Sequence, residues 1–294
     1  MSGVKPPEAA VASLAGGAVG TGSATGTVRP AAVTISGITM RYPRSRVPAL
    51  VDVDLTVAEQ EFVCLLGRSG CGKSTLLSLV AGLEQPTRGT IDLGGRRVGM
   101  MFQDSGLFPW LTVQGNIELA LRLSGVARAE WAGRTDELLD IVRLPGTQRH
   151  RPHELSGGMR QRVALARSLA QECQVLLMDE PFAALDAITR DAMHDEIERI
   201  AAERALTVLF VTHNVREAVR LGDRVIVMQP GPGRVACELD VALTRPRRMD
   251  DPEIATRAGR LHDLLDTQAG WQGDGGARPV AGGRPDRAER RAAA

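Results

Sequence analysis

The stretch that decides the fold reads Gly67-Arg68-Ser69-Gly70-Cys71-Gly72-Lys73-Ser74. It matches the pattern Gly-x-x-x-x-Gly-Lys-Ser/Thr, which binds the phosphates of nucleotides. The apolar run Phe62–Leu66 before it predicts a buried strand, and the residues from Ser74 onward predict a helix that ends near Gly82. Strand, glycine loop and helix are the context that this motif requires, so the alternative of a glycine-rich turn with a chance lysine is weak.

The chemistry of this loop follows from its residue types. Glycines allow consecutive backbone N–H groups to point inward at an anion, and the helix that follows adds the positive end of its dipole. We expect Lys73 to reach the terminal phosphates and the Ser74 hydroxyl to hold Mg²⁺. Cys71 places a thiol in the loop, and we expect a bulky thiol reagent there to block phosphate binding. The predicted nucleotide contacts are Gly67, Arg68, Ser69, Gly70, Cys71, Gly72, Lys73, Ser74 and Thr75.

The composition argues against several classes of protein. The chain has 294 residues, with 36 Lys and Arg against 35 Asp and Glu, so its formal net charge is +1. That balance disfavours binding of nucleic acid through a basic face, and an aromatic content of 3% offers few stacking platforms. No apolar run approaches the roughly 18 residues needed to cross a membrane. The four cysteines have neither metal-ligand nor disulfide spacing, so we expect a soluble, cytoplasmic protein.

Changes in residue pattern predict three regions. We expect a disordered, low-complexity leader over residues 1–31, a folded domain over residues 32–268 and a disordered tail over residues 269–294. Alternating apolar residues between 33 and 57 predict antiparallel β-structure. Helices and strands then alternate from 157 to 229, which predicts a mostly parallel sheet covered by helices.

Two further elements carry chemistry. The strand Val175–Met178 ends in Asp179 and Glu180, and an acid at such a strand end supports Mg²⁺ in phosphate-loop ATPases. We expect Asp179 to face the metal and Glu180 to act as general base on the attacking water; two acids that merely begin a surface loop are the alternative. Ser156-Gly157-Gly158 precedes a predicted helix from Met159, which makes a second helix-start anion site.

The chain therefore contains two partial phosphate sites but only one lysine loop. The simplest arrangement that uses both is a head-to-tail homodimer, in which Ser156–Gly158 of one subunit completes the site of the other. A fully active monomer would contradict this hypothesis.

Together these motifs resemble the nucleotide-binding subunit of ABC transporters, over roughly residues 33–245. The resemblance implies an α/β fold with a RecA-like core and parallel sheet, an antiparallel β subdomain and an inserted helical subdomain at about 104–165. It implies ATP and Mg²⁺ as cofactors, and ATP hydrolysis as the activity.

The resemblance also implies roles for four further residues. Tyr42 looks like the aromatic residue that stacks on adenine, although it could simply pack at a strand end. Gln103 looks like the residue that contacts Mg²⁺ and water and senses the membrane subunit. Asp186 looks like the acid of the dimer interface. His213 looks like the switch that contacts the γ-phosphate, the alternative being an ordinary strand-end histidine.

The string Leu107–Val113 resembles one importer branch, which takes up nitrate, sulfonates, taurine or bicarbonate. Its Phe108 and Trp110 could form an apolar groove for a membrane partner, or could fill the core of the helical subdomain. The implied partners are a second copy of the chain, two transmembrane permease subunits and, indirectly, a periplasmic or lipid-anchored solute-binding protein. The implied location is the cytoplasmic face of the membrane. An ATPase acting on nucleic acid or ribosomes, and a nucleotide-regulated module without turnover, are the alternatives.

Overall fold

The computed structural model describes residues 11–13, 29–43 and 45–270, with the backbone alone for 11–13, Leu264 and 266–270. Most of the predicted leader and nearly all of the predicted tail lie outside the described residues. Within the leader, Val11–Ser13 form a short strand that pairs in parallel with Glu238–Asp240. The sequence analysis did not predict this strand.

The described residues contain ten strands and seven α-helices. The strands are β1 Val11–Ser13, β2 Ala31–Met40, β3 Leu50–Ala58, β4 Phe62–Leu66, β5 Arg88–Asp92, β6 Val98–Met101, β7 Val175–Asp179, β8 Thr207–Thr212, β9 Arg224–Gln229 and β10 Arg234–Asp240. The helices are α1 Lys73–Val80, α2 Val113–Leu123, α3 Trp131–Ile141, α4 Gly157–Leu169, α5 Ala187–Glu203, α6 Val215–Leu221 and α7 Pro252–Gly270. None of the helices in this part of the chain combines the length and hydropathy that a membrane crossing needs.

Seven strands form the central sheet in the order β1-β10-β9-β4-β8-β7-β6. Strands β9, β4, β8, β7 and β6 run parallel, and β10 is antiparallel to β9. Strands β3, β2 and β5 form a separate antiparallel sheet. The predicted fold class is confirmed: a parallel core sheet, an antiparallel β subdomain and an inserted helical segment.

Strand β4 shows why the parallel strands read as continuous apolar runs. All five of its residues are buried, because both faces of the sheet are covered. Phe62, Cys64 and Leu66 pack on one face, in the core that contains helices α2 to α7. Val63 and Leu65 pack on the other, against α1 and the antiparallel sheet. The loop that follows β4 is therefore anchored between two hydrophobic cores.

The predicted helical stretch over residues 111–144 is divided in the structure. Helix α2 ends at Leu123, and Gly125 adopts a left-handed conformation with φ +83°. A residue without a Cβ atom takes this conformation at little cost, so it reverses the chain after the helix. A short 3₁₀ helix, Arg128–Glu130, then leads into α3.

A buried arginine ties the segment after β10 to the end of α6. Arg247 donates from Nη1 to the carbonyl oxygens of Val219, Arg220 and Gly222, at 3.0, 3.1 and 2.6 Å. Its Nη2 donates to Leu243 O at 2.7 Å. The carbonyls at a helix C-terminus lack partners within the helix, so this guanidinium satisfies them and favours the negative end of the dipole. Burial, with Arg245 nearby, lowers the pKa of Arg247 to about 10.

Replacing Arg247 by Met is expected to lower the free energy of unfolding by about 3 kcal/mol, because several buried carbonyl oxygens lose their donor. Urea unfolding of the full chain measures this change. The adjacent Arg248 provides the matched control, because its side chain is 83% exposed and pairs with the exposed Asp250. Arg248→Met should change the stability by less than about 0.5 kcal/mol. Equal effects of the two variants would show that Arg247 has no special structural role.

Candidate functional site

The parallel register brings the predicted site residues to one edge of the central sheet. Leu66, the last residue of β4, pairs with Thr212, the last residue of β8. Asp179, the last residue of β7, pairs with Val211. The glycine loop, the acid pair and His213 therefore leave three neighbouring strands at their carboxyl ends, where open α/β sheets bind ligands.

The glycine loop is built to hold an anion at the start of α1. Gly70 and Gly72 adopt left-handed conformations with φ +82° and +94°, and a Cβ atom on Gly72 would lie 2.5 Å from Leu50 Cδ2. Helix α1 has no side-chain cap and no acidic residue in its first turn. Lys73, its first residue, is 5% exposed and donates from Nζ to Gly67 O at 2.7 Å and Arg68 O at 3.1 Å. The ammonium group is thus held inside the loop, beside the N-terminal amides of the helix.

The structure contradicts the expected reactivity of Cys71. Its side chain is fully buried in the core beneath the loop, and its Sγ lies 3.6 Å from Lys73 Nζ. A Cβ atom on Gly67 would lie 2.7 Å from the same sulfur. The thiol faces the core because the backbone amides, not the side chains, line the concave side of such a loop. A bulky reagent has no access to it.

Ser74 and Asp179 meet at the centre of the edge. The Ser74 hydroxyl donates to Asp179 Oδ1 at 3.0 Å. Burial raises the pKa of Asp179 and the nearby Glu180 raises it further, while the Ser74 hydrogen bond and Lys73 lower it. Two hard oxygen donors fit Mg²⁺, which commonly takes one or two protein ligands beside phosphate and water. Accordingly, the described residues contain no group of three or more His, Cys, Asp or Glu that could hold a metal by themselves.

Glu180 is held beside His213. Its Oε2 lies 2.9 Å from His213 Nδ1, and its backbone N–H donates to Val211 O at 3.1 Å. Glu180 has φ +44°, a left-handed conformation that is unfavourable for a residue with a side chain. This strain turns the chain sharply after β7, and such strain is typical of functional positions. The His213 side chain is 60% exposed, so its ring is accessible to a ligand at this edge.

Gln103 and Tyr42 lie in segments that follow other strands, Gln103 after β6 and Tyr42 after β2. The backbone oxygen of Gln103 accepts from Gln161 Nε2 of α4 at 3.1 Å, which links the segment after β6 to that helix. Tyr42 is 37% exposed, and its hydroxyl donates to Glu84 Oε2 at 2.8 Å. Tyr42 is therefore held in place through its hydroxyl while the residue stays partly exposed.

The second anion motif packs on the start of α5. Ser156 caps α4 by accepting from Met159 N at 3.2 Å, and a Cβ atom on Gly158 would lie 2.4 Å from Thr189 Cγ2. Asp186 caps α5, accepting from Thr189 N at 2.9 Å and from its hydroxyl at 2.7 Å. These bonds lower the pKa of Asp186. Among the described residues no hydrogen bond joins Ser156–Gly158 to the glycine loop.

Sequence reasoning missed Thr189, which contacts both Gly158 and Asp186. Part of the signal was present, because Asp is a preferred N-cap residue, and its carboxylate accepts from the backbone N–H near the helix start, here that of Thr189. It also missed the buried side chains behind His213, among them His194 and Glu217. Helical spacing puts His194 on the same face as the buried Ile197, but it does not reveal the hydrogen-bond partners of the ring.

Comparison with known proteins agrees with this geometry. The family model described as ABC transporter matches residues 50–183. The chain is 44% identical to the taurine import ATP-binding protein TauB of Mesorhizobium japonicum, covering 79% of this chain and 96% of that protein. It is 46% identical to the nitrate import ATP-binding protein NrtD of Synechocystis sp., in a match that covers 68% of this chain and 78% of that protein. It is 44% identical to the aliphatic sulfonates import ATP-binding protein SsuB of Bacillus licheniformis, in a match that covers 70% of this chain and 83% of that protein.

Among solved structures, the dimeric ATP-binding cassette MJ0796 bound to ADP and phosphate is 32% identical, with a TM-score of 0.64. The match covers 72% of this chain and all of that chain. The sheet-edge site, the relatives and the shared fold lead to one conclusion. The chain belongs to the ABC transporter family, as an ATP-binding and ATP-hydrolysing subunit.

Proposed function

We propose that this chain hydrolyses ATP to drive the import of a small solute that carries an anionic oxygen group, such as taurine, another aliphatic sulfonate or nitrate. The observation that carries the proposal is the meeting of Lys73, Ser74, Asp179, Glu180 and His213 at one edge of the sheet. The relatives that import taurine, nitrate and sulfonates support the solute class. The alternative of an ATPase acting on nucleic acid or ribosomes gains no support from them.

In this proposal the glycine loop binds the phosphates of ATP. The amides of residues 67–75 and the Lys73 ammonium group hold the phosphate oxygens, and the Tyr42 ring stacks on adenine. Ser74, Asp179 and the side chain of Gln103 would hold Mg²⁺. When bound, Mg²⁺ would neutralise the negative charge of the phosphates. The remaining catalysis comes from positioned groups of the chain itself.

Glu180 would act as the general base. It takes a proton from a water molecule whose oxygen attacks the γ-phosphorus, and the bond from that phosphorus to the ADP oxygen breaks. His213, whose Nδ1 lies 2.9 Å from Glu180 Oε2, keeps the carboxylate oriented and would contact the γ-phosphate. Asp179 contacts Ser74 and Glu180 contacts His213, so that adjacent acids serve different partners.

The site would be completed by a second, head-to-tail copy. Ser156 uses its oxygen to cap α4, so its hydroxyl hydrogen and the amides of Gly157 and Gly158 remain for a phosphate of the partner's ATP. Thr189 lies against Gly158 and donates to Asp186, which supports our proposal that Asp186 lies at the same interface. The dimeric form of the similar cassette MJ0796 supports this arrangement.

The aromatic residues after Gln103 would receive the membrane partner. Phe108 and Trp110 lie 5.4 Å apart between ring centroids, and Trp110 is 66% exposed, so Trp110 does not fill the core of the helical segment. Exposed aromatic pairs of this kind are typical of docking surfaces. We propose that two permease subunits bind here, at the cytoplasmic face of the membrane. A solute-binding protein would contact the permeases rather than this chain.

Replacing Glu180 by Gln should abolish steady-state ATP hydrolysis while ATP binding persists, because the amide cannot accept the proton of water. The variant should therefore accumulate as an ATP-bound dimer. Hydrolysis and sedimentation measured with ATP and Mg²⁺ test both parts. Glu137→Gln is the control, because that side chain is 63% exposed on α3. This variant should hydrolyse ATP at the wild-type rate and show the same proportions of monomer and dimer as the wild type. Undiminished hydrolysis by Glu180→Gln would contradict the assignment of the base.

Replacing Lys73 by Ala should weaken ATP binding by at least about tenfold, since a buried, charge-assisted contact to phosphate is lost. Titration with a fluorescent ATP analogue measures the dissociation constant. Unchanged affinity would remove Lys73 from the phosphate site. Arg68→Ala is a useful comparison, because it changes a neighbouring cation whose backbone, rather than side chain, contacts Lys73.

Deleting the gene for this chain should reduce cellular uptake of at least one of radiolabelled taurine, an alkyl sulfonate or nitrate by about tenfold or more, because the other subunits lose their energy source. The wild-type gene should restore uptake, and the Lys73→Ala gene should not. Normal uptake of all three solutes in the deletion strain, together with full ATPase activity of the purified chain, would contradict the solute class without affecting the assignment of the ATPase.

A further inference from the structure

A buried network of polar side chains lies directly behind His213. His194 of α5 is fully buried; its Nε2 lies 2.6 Å from Glu217 Oε1 and its Nδ1 lies 3.0 Å from Arg220 Nη1. Glu217 and Arg220 belong to α6 and are also buried. The other carboxylate oxygen of Glu217 accepts from the Thr212 hydroxyl at the end of β8. We call Arg220, His194, Glu217 and Thr212 the positioning network.

The proton positions in this network follow from the donors available. A guanidinium group only donates, so Arg220 donates to Nδ1 of His194. Nδ1 is then the acceptor, and Nε2 carries the proton that is donated to Glu217. The Glu217 carboxylate accepts from His194 on one oxygen and from Thr212 on the other. Every bond has one donor and one acceptor, so the chain of hydrogen bonds is satisfied in a single orientation.

The network ends on the backbone that carries His213. The Thr212 hydroxyl donates to Glu217 and accepts from the backbone N–H of Asn214 at 2.9 Å. It therefore bridges the two residues on either side of His213. Asn214 in turn caps α6, accepting from Arg216 N at 3.0 Å and Glu217 N at 3.3 Å. The path of the chain through His213 is fixed by bonds that His213 itself does not make.

We propose that the positioning network holds His213 against Glu180 and that Thr212, Glu217 and His194 are positioning residues for ATP hydrolysis. A shift of about 1 Å in a catalytic group is enough to slow a reaction substantially. The network also connects His213 to α5, whose first turn is capped by Asp186. The inference rests on the proposed role of His213.

The experiment compares two threonines of β8. Thr212→Val removes the hydroxyl but keeps the branched shape, and it should lower kcat for ATP about tenfold while KM changes less than about twofold. Thr212→Ser keeps the hydroxyl and should retain at least about half of wild-type kcat. Thr207, at the other end of the strand, is also 2% exposed, and its oxygen accepts from Gln60 N at 3.0 Å. Thr207→Val is therefore the control for loss of a buried hydroxyl, and its kcat should stay at the wild-type value.

Melting temperatures separate positioning from stability. Both valine variants should melt below the wild type, and Thr212→Val should melt lowest, because it loses two hydrogen bonds whereas Thr207→Val loses one. The kcat values are therefore compared at a temperature at which both variants are folded. A normal kcat for Thr212→Val, or an equal loss of kcat in both valine variants, would overturn the proposal. So would Thr212→Ser being as slow as Thr212→Val.

His194→Phe tests the network at a site farther from the backbone of His213. The five-membered ring of His194 meets Phe182 edge-on at 5.6 Å between centroids, so an aromatic ring suits these surroundings. This variant should lower kcat about threefold or more with an unchanged KM, and normal kcat would contradict the proposal. His194→Phe therefore tests the positioning network even if Thr212→Val fails to fold.

His213→Ala distinguishes failure of the network from failure of the proposed function. It should lower kcat strongly, and adding Thr212→Val to it should cause no further loss, because both changes act through one side chain. A normal kcat for His213→Ala would refute the role of His213 itself. A slow His213→Ala variant that becomes slower still with Thr212→Val would refute the network alone.

Discussion

The parallel pairing of β4, β8 and β7 is the constraint on which the rest of the site depends. Because Leu66 pairs with Thr212 and Asp179 with Val211, the three strands end together. Each strand is buried on both faces, so its register is set by two hydrophobic cores rather than by the site. Residues that lie more than a hundred positions apart in the chain are thus brought within hydrogen-bonding distance, as Ser74 and Asp179 are.

Much of this arrangement could be predicted from local sequence. The glycine loop needs left-handed glycines and a helix start, and the eight residues Gly67–Ser74 contain both features. The acids after β7 and the histidine after β8 follow apolar runs, and the alternation of strands and helices places those runs side by side. The family resemblance and the comparisons then agree on the fold and on ATP hydrolysis.

Other features depend on long-range packing that a sequence pattern does not contain. Cys71 occupies a loop position yet faces the core, because the direction of a side chain in such a loop is set by the backbone turn. The left-handed conformation of Glu180 depends on its hydrogen bond to Val211, a residue of another strand. His194 meets Glu217 only because α5 packs against α6, so its hydrogen bonds could not be foreseen from its helix alone.

We propose that Ser156–Gly158 of one subunit completes the nucleotide site of the other, and co-purified mixed dimers test this proposal most directly. One subunit would carry Lys73→Ala and the other Ser156→Asp, which keeps a capping oxygen for α4 but repels phosphate. In a head-to-tail dimer both defects fall in one site and the second site is intact. The mixed dimer should hydrolyse ATP although neither variant does so alone. An inactive mixed dimer of two folded subunits would contradict it.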